Sequence, residues 1–295
     1  MTEVKSRDNY NLILITTAIT KEYIEKLLQS ISNNNKSIRC YILIVLQNGL
    51  EIPIRDYSTD KLDIDYITIP NQVNSSKGRN IGIEYVIHNR IHGKYIMFPD
   101  DDSTFNKDFF DNFNNSLNDN SCYIITAYCE GTEILYNSYH SKIRHGTIIK
   151  RDFALKIGTI NLILNYNIFK RVGLFDELMG VGAIHGAGED SDYFLRALKY
   201  SDFYFNSNLY TFHPSPSMTY DKLSFRKLIS RYKKYGDGVI YMLCKHRMYY
   251  SAITCIAKGF VGSIIAMAKF QGRLSIARFY AGFVRLYSFI KYIYL

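Results

Sequence analysis

Three consecutive carboxylates, Asp100-Asp101-Asp102, follow the apolar run Tyr95-Ile96-Met97-Phe98-Pro99 and precede Ser103. Like charges this close repel one another, and holding them at the end of a buried strand calls for a counter-charge. A divalent cation is the simplest one, and oxygen donors suit Mg²⁺ or Mn²⁺. Mg²⁺ takes one or two protein carboxylates and completes its shell with phosphate oxygens, so the triplet points to a nucleotide substrate. A solvated acidic turn is the structural alternative. A second acidic cluster, Glu189-Asp190-Ser191-Asp192, follows a glycine-rich loop from Gly180 to Gly188. Such a cluster can serve as a base, and it also matches the dipole at a helix start. His185, in the loop, is a rival, since an imidazole can also act as a base.

The elements that must position these groups alternate strand and helix. Residues 11–16 read as a first strand, and Thr20 as the N-cap of a helix to about Ser32 with Ile24, Leu27, Leu28 and Ile31 on one stripe. Residues 40–46 form a second strand, ending at Gln47-Asn48-Gly49, and residues 64–69 a third. Ser75 or Ser76 caps a helix whose first turn holds Lys77-Gly78-Arg79-Asn80 and which leads to the acidic strand. This alternation predicts an α/β fold with a mostly parallel, doubly wound sheet, which binds ligands at the carboxyl ends of its strands. Asn48, Arg79 and Asp100 all fall at that edge. Further on, residues 123–128 and 161–164 read as strands, 169–172 as a short helix, and 189 to about 200 as another. Residues 130–150, with His140, Arg144 and His145, read as an extended excursion over the site.

Charge divides the chain unevenly. Residues 221–295 carry 14 Lys/Arg against 2 Asp, whereas the first 220 carry 22 basic and 25 acidic residues. A near-neutral body with a basic, aromatic tail suggests an anionic partner surface. From Asp221 a basic helix with Phe225, Leu228, Ile229 and Tyr232 is expected to stop at Gly236-Asp237-Gly238. Residues 249–267 are nearly long enough to span a bilayer but include Lys258. On one helical wheel Lys258, Lys269 and Arg273 fall within about 60° of each other, the pattern of a helix lying in a membrane interface. Helices packed on the catalytic domain with basic edges in water are the alternative. The expected domains are therefore 1–220, catalytic, and 221–295, a basic amphipathic region for membrane-surface attachment. Five cysteines form no CxxC pair and read as reduced core residues. The first residues hold no apolar signal segment, so the expected location is cytoplasmic, peripheral on the inner face of the membrane.

Over roughly residues 10–215 the chain resembles family 2 inverting glycosyltransferases of the GT-A fold. The resemblance rests on Gly78-Arg79-Asn80, Asp100-Asp101-Asp102, Gly173-Leu174-Phe175-Asp176-Glu177 and Gly188-Glu189-Asp190-Ser191-Asp192 before Phe194-Leu195-Arg196-Ala197, in that order. It implies a sugar transfer from a nucleoside-diphosphate sugar, with UDP the expected carrier. Asp102 would ligate the metal, with His213 touching the metal or the diphosphate. Thr17, Asn48, Arg79, Asp100 and Asp101 would bind the donor. Asn48 stands where the family usually has an Asp that binds the base, a departure that leaves base identity open. Asp190 would be the catalytic base, with Glu189, Asp192 and His185 on the acceptor side and able by spacing to take its role. The Tyr-Gly-x-Gly pattern and the Lys245-His246 pair resemble C-terminal parts of enzymes building O-antigen or capsule, implying a saccharide or lipid-linked saccharide acceptor.

Three other readings compete, one of them a transferase-like fold that has lost activity and serves as a scaffold, against which the retention of both acidic clusters argues. A nucleic-acid-binding protein would use the basic tail, but it leaves both acidic clusters unexplained and finds no basic field in the first 220 residues. A sugar-nucleotide pyrophosphorylase would carry a glycine-rich basic loop after the first strand, and Thr16-Thr17-Ala18-Ile19-Thr20 holds neither Gly nor Arg.

Overall fold

The computed structural model describes residues 10–118, 120–215 and 223–295. They fall into two compact units. The expected boundary at 220 and the expected helix start at Asp221 lie outside the described residues.

The first unit comprises described residues 10–73, 77–175 and 196–215. Its strands are β1 (Tyr10–Ala18), β2 (Cys40–Leu46), β3 (Leu62–Thr68), β4 (Gly93–Met97), β5 (Thr104–Phe105), β6 (Cys122–Cys129), β7 (Ile148–Ile149), β8 (Leu162–Asn165) and β9 (Phe203–His213). They make one sheet in the order β3-β2-β1-β4-β8-β6-β9-β5, with β7 also pairing β9. Strands β1 to β4 are parallel, and most of the sheet's paired residues lie in parallel registers. β8 enters antiparallel beside β4 and carries the sheet on to β6. All seven residues of β2 are buried, as a strand flanked on both sides requires, whereas the edge strand β3 is buried only in part. Helix α1 (Lys21–Asn34) buries Ile24, Leu27, Leu28 and Ile31, the expected stripe. Thr20 sits at its N-cap with extended backbone, yet its side chain makes no capping bond. The remaining helices are α2 (Ser75–His88), which begins in the second unit, α3 (Phe109–Ser116), α4 (Tyr166–Val172) and α5 (Glu189–Ala197), which also crosses between units.

The parallel strands run β2 to one side of β1 and β4 to the other. That reversal is the switch point at which a doubly wound sheet leaves a crevice beyond its strand ends. Helix α2 comes close against β1 because it is glycine-bearing there. A Cβ on Gly82 would lie 2.4 Å from Ile15 Cγ2, and one on Gly78 would lie 2.7 Å from Thr17 Oγ1.

The second unit comprises residues 74–76, 176–195 and, of the tail, 223–295. Its long helices are α6 (Phe225–Lys245), α7 (Tyr249–Ala268) and α8 (Gly272–Tyr292). The expected stop at Gly236-Asp237-Gly238 does not occur, and α6 runs straight through it. A Cβ on Gly238 would meet the Ala187 backbone at 2.4 Å, so this glycine permits close packing instead of ending the helix. Helices α7 and α8 also approach closely. Gly259 leaves no room for a Cβ against Gly282, while Ser263 Oγ donates to Ser275 O at 2.9 Å and Ser275 Oγ returns the bond at 3.0 Å. Lys258, Lys269 and Arg273 do not share one helix, contrary to expectation. α7 ends at Ala268, Phe270 takes the left-handed conformation at φ 57°, and Arg273 donates to Leu223 O across 3.0 Å. By length and composition alone, α7 is long and apolar enough to cross a membrane. Ile253, Val261, Ile264 and Ile265 of α7 and Ile276, Phe279, Phe283 and Ile290 of α8 are exposed.

Candidate active site

The site at the sheet edge is built by the Gly78-Arg79-Asn80 motif. Gly78 lets the first turns of α2 lie on Thr17. Asn80 then clamps the Gly173–Glu177 segment, donating to Phe175 O at 3.0 Å and accepting from Phe175 N at 2.8 Å. Phe175 packs edge-on to Phe98 at 5.1 Å and lies 5.4 Å from the Arg79 guanidinium. Arg79, only 5% exposed, is thus aimed at the loop after β4. Its Nη2 donates to Asp100 Oδ1 at 2.8 Å and to Thr159 Oγ1 at 2.9 Å. Ser103 closes the turn, its hydroxyl donating to Asp100 O at 2.7 Å.

His213, the last residue of β9, completes the cluster. Its Nε2 lies 3.2 Å from Asp102 Oδ1 and 3.7 Å from Asp100 Oδ2, and its Nδ1 lies 2.9 Å from Pro214 O. Tyr136 holds the ring from the side at 4.6 Å. Asp100, Asp102 and His213 each offer a ligand atom within 4.8 Å of the others. Two carboxylates and an imidazole form an oxygen-rich donor set that fits Mn²⁺ or Mg²⁺. Burial would lower the His213 pKa, but the two carboxylates overcome it and push it up to about 10. Burial would raise Asp100, and His213 and Arg79 hold it below the usual carboxylate range. Asp101 goes the other way, raised to about 7 by burial and then by its two neighbours. Its carboxylate turns back to the end of β1, accepting from Ile19 N at 3.4 Å.

The structure therefore brings Arg79, Asp100, Asp102 and His213 together. Thr17 is occupied by Gln47, whose Nε2 bonds to its hydroxyl and whose Oε1 accepts from Val73 N at 2.8 Å. Asn48 stands exposed on the turn after β2, with φ 58°. The excursion through 130–150 reaches this cluster through Tyr136, which sequence reasoning missed along with Thr159 and Gln47. His140 is buried instead, and burial pulls its pKa to about 4.

The acidic loop belongs to the second unit. Ser75 and Ser76, expected to cap α2, serve this loop instead: Ser75 Oγ donates to Glu189 Oε1 at 3.2 Å, and Ser76 Oγ to Met179 O at 2.7 Å. Gly180 makes this possible, since a Cβ there would lie 2.4 Å from Ser75 Oγ. Asp192 is wholly buried and accepts from Lys245 Nζ at 2.9 Å, with His246 Nε2 2.8 Å away. Lys245 also reaches Asp176 Oδ2 at 2.7 Å. These contacts outweigh burial and raise the Lys245 pKa. His185 pairs its Nδ1 with Asp237 Oδ2 at 2.7 Å and stacks on Tyr241 at 3.7 Å. Asp190 is half-buried in the first turn of α5. Asp192 and His185 are thus tied into packing contacts with α6 and its C-cap. The sequence singled out Lys245 and His246 as a pair but carried no sign of their buried partner.

Residues 12–177 match glycosyl transferase family 2. Among solved structures, S. aureus TarS 1–349 in complex with UDP-GlcNAc is 13% identical, with 96% of this chain and 90% of that chain covered and a TM-score of 0.54. Against a longer TarS structure, the chain spans 43% of that chain's length, at 14% identity and a TM-score of 0.54 over 80% of its own. The mannosyltransferase PcManGT from Pyrobaculum calidifontis, in complex with GDP-Man and Mn²⁺, is 11% identical, with 95% and 88% covered and a TM-score of 0.59. These similarities identify the sheet as a GT-A type fold. No functionally curated protein matches the chain significantly.

Proposed function

Because the chain belongs to glycosyl transferase family 2, it is a glycosyltransferase, and we propose that it is a metal-dependent, inverting one. Its donor is a nucleoside-diphosphate sugar, and its acceptor a saccharide or lipid-linked saccharide in surface polysaccharide synthesis. The observation that carries this reading is the convergence of Asp100, Asp102 and His213 at strand ends of a nucleotide-binding type of sheet. UDP is the favoured carrier, supported by the TarS complexes with UDP and UDP-GlcNAc; the GDP-Man complex of PcManGT keeps GDP in the test.

Asp100, Asp102 and His213 would hold Mn²⁺ or Mg²⁺, which when bound offsets the charge on a diphosphate leaving group. Arg79 fixes one oxygen of Asp100 and so orients the carboxylate. Thr17, Asn48 and Asp101 line the donor side in this reading. An acceptor hydroxyl has a pKa far above neutrality and needs a base as its oxygen forms the new bond to the anomeric carbon. Asp190 takes that proton while the bond from the anomeric carbon to the diphosphate oxygen breaks, inverting the configuration. Glu189, held by Ser75, shapes the acceptor side beside it.

The protein would work at the inner face of the membrane, attached through α7 and α8. The exposed apolar stripes on these helices and the basic balance of the tail support this. Replacing Ile253, Val261 and Ile264 with Glu should then abolish binding to anionic liposomes in a folded protein. Unchanged binding would remove this surface from the account. The activity itself is tested by incubating the protein and Mn²⁺ with a panel of UDP- and GDP-sugars and following release of the nucleoside diphosphate. Release dependent on metal and stimulated by a saccharide acceptor is expected, and none with any donor would contradict the proposal.

A further inference from the structure

The second unit contains a cleft of about 410 Å³ whose two walls differ in chemistry. One wall is cationic, formed by the exposed Lys233 and Lys234 of α6. The other is aromatic, formed by Tyr280, Phe283 and Tyr287 of α8, and Ile184 closes the rim from the loop that ends in Glu189-Asp190. Asp237 also lines the cleft, and its charge is already engaged. Its Oδ1 accepts from Ser288 Oγ at 2.7 Å and Tyr292 OH at 3.3 Å, and its Oδ2 faces His185 Nδ1 at 2.7 Å. The lysines therefore dominate the polar side. The aromatic side continues along α8 into the exposed stripe of Phe279, Leu286 and Ile290.

An occupant that satisfies both walls has an anionic group at one end and an apolar chain at the other. A free phosphate would leave the aromatic wall bare, and a neutral sugar would leave two ammonium groups unmatched. We propose that this cleft binds the phosphate or diphosphate head of a lipid-linked acceptor, with the first part of the lipid chain lying along α8. The proposal rests on the glycosyltransferase reading and names the acceptor class within it. The loop from Met179 to Gly188 links the two functions within one unit, lending Ile184 to the cleft and leading directly into Asp190. Gly186 keeps that loop against α6, since a Cβ there would lie 2.7 Å from Lys234 Cβ.

The test is calorimetric titration of the full chain with farnesyl phosphate, farnesol and inorganic phosphate, with UDP and Mn²⁺ titrated separately. Farnesyl phosphate should bind at least about tenfold tighter than either fragment. Lys233→Glu with Lys234→Glu should weaken it by a further factor of about ten or more while leaving UDP binding unchanged. Tyr287→Asp should weaken it from the other wall. Equal affinity of the wild type and the double lysine variant for farnesyl phosphate would overturn the proposal. So would equal affinity for farnesyl phosphate and inorganic phosphate, which would reduce the cleft to a simple anion site. Loss of UDP binding in the wild type would instead strike the donor reading, and the farnesyl phosphate titration distinguishes the two failures.

Discussion

Arg79 donates to Asp100 at 2.8 Å while the same nitrogen reaches Thr159 at 2.9 Å. One buried guanidinium thus fixes one oxygen of the carboxylate, and the other oxygen is turned toward His213. Arg79→Met keeps the bulk and removes the charge. Losing a charged hydrogen bond of this kind should cost about 1–3 kcal/mol in urea unfolding. The acid side of the stability curve should change with it. Asp100 has a lowered folded-state pKa, so its contribution is present above its unfolded value and is lost as pH falls through the folded one. The variant should lose less on acidification than the wild type does. An unchanged acid slope would mean that Arg79 does not set the Asp100 charge state.

His213 behaves in the opposite sense. Its folded-state pKa of about 10 lies above the unfolded value, so its stabilising contribution is complete below about 6.5 and fades as pH rises toward 10. In metal-free protein, His213→Gln should therefore flatten the alkaline loss of thermal stability. A metal at this site must also displace the His213 proton, so Mn²⁺ binding should release a proton and tighten with pH. Titrations in buffers of different ionisation enthalpy measure that release directly. Zero proton release at pH 7 would contradict a His213 ligand.

Asp190→Asn keeps shape and hydrogen bonding but cannot accept a proton. Transfer to acceptor should fall roughly 10²–10⁴-fold with little change in donor binding. Near-normal transfer would move the role to Glu189.

Asp192 is wholly buried between Lys245 and His246, which makes it a structural anchor for the first turn of α5. Lys245→Met leaves a buried carboxylate short of a partner and should cost roughly 3 kcal/mol. Adding Asp192→Asn should recover part of that loss in a double-mutant cycle. Strict additivity of the two substitutions would rule out the coupling.

The sequence was most readable where periodicity and burial agree. The stripe of α1, the run Cys40–Leu46 and the apolar strand before Asp100 each appear where the pattern places them. The cluster of Arg79, Asp100, Asp102 and His213 was readable only as separate motifs, because the pairing of β9 with β6 that delivers His213 is long-range. The reading failed at Gly238, where glycine is required by the Ala187 backbone and not by a helix end. It failed again at Phe270, whose left-handed turn separates α7 from α8 without a glycine or proline at that residue. Ser75 and Ser76 look like caps in one dimension, yet their hydroxyls serve residues more than a hundred positions away. Local signals specify local structure, and partners brought in by the fold leave no local signal.

The proposed metal-assisted nucleoside-diphosphate site is built on Asp102. Its most direct test is the thermal stability of wild type and Asp102→Ala with UDP or GDP, in the presence and absence of Mn²⁺. At about 100 times its dissociation constant, a specific ligand should add roughly 2.7 kcal/mol to the wild type. That gain should require Mn²⁺ and disappear in a folded Asp102→Ala variant. A wild type that no nucleoside diphosphate stabilises in a metal-dependent way, or a variant stabilised as much as the wild type, would contradict the account.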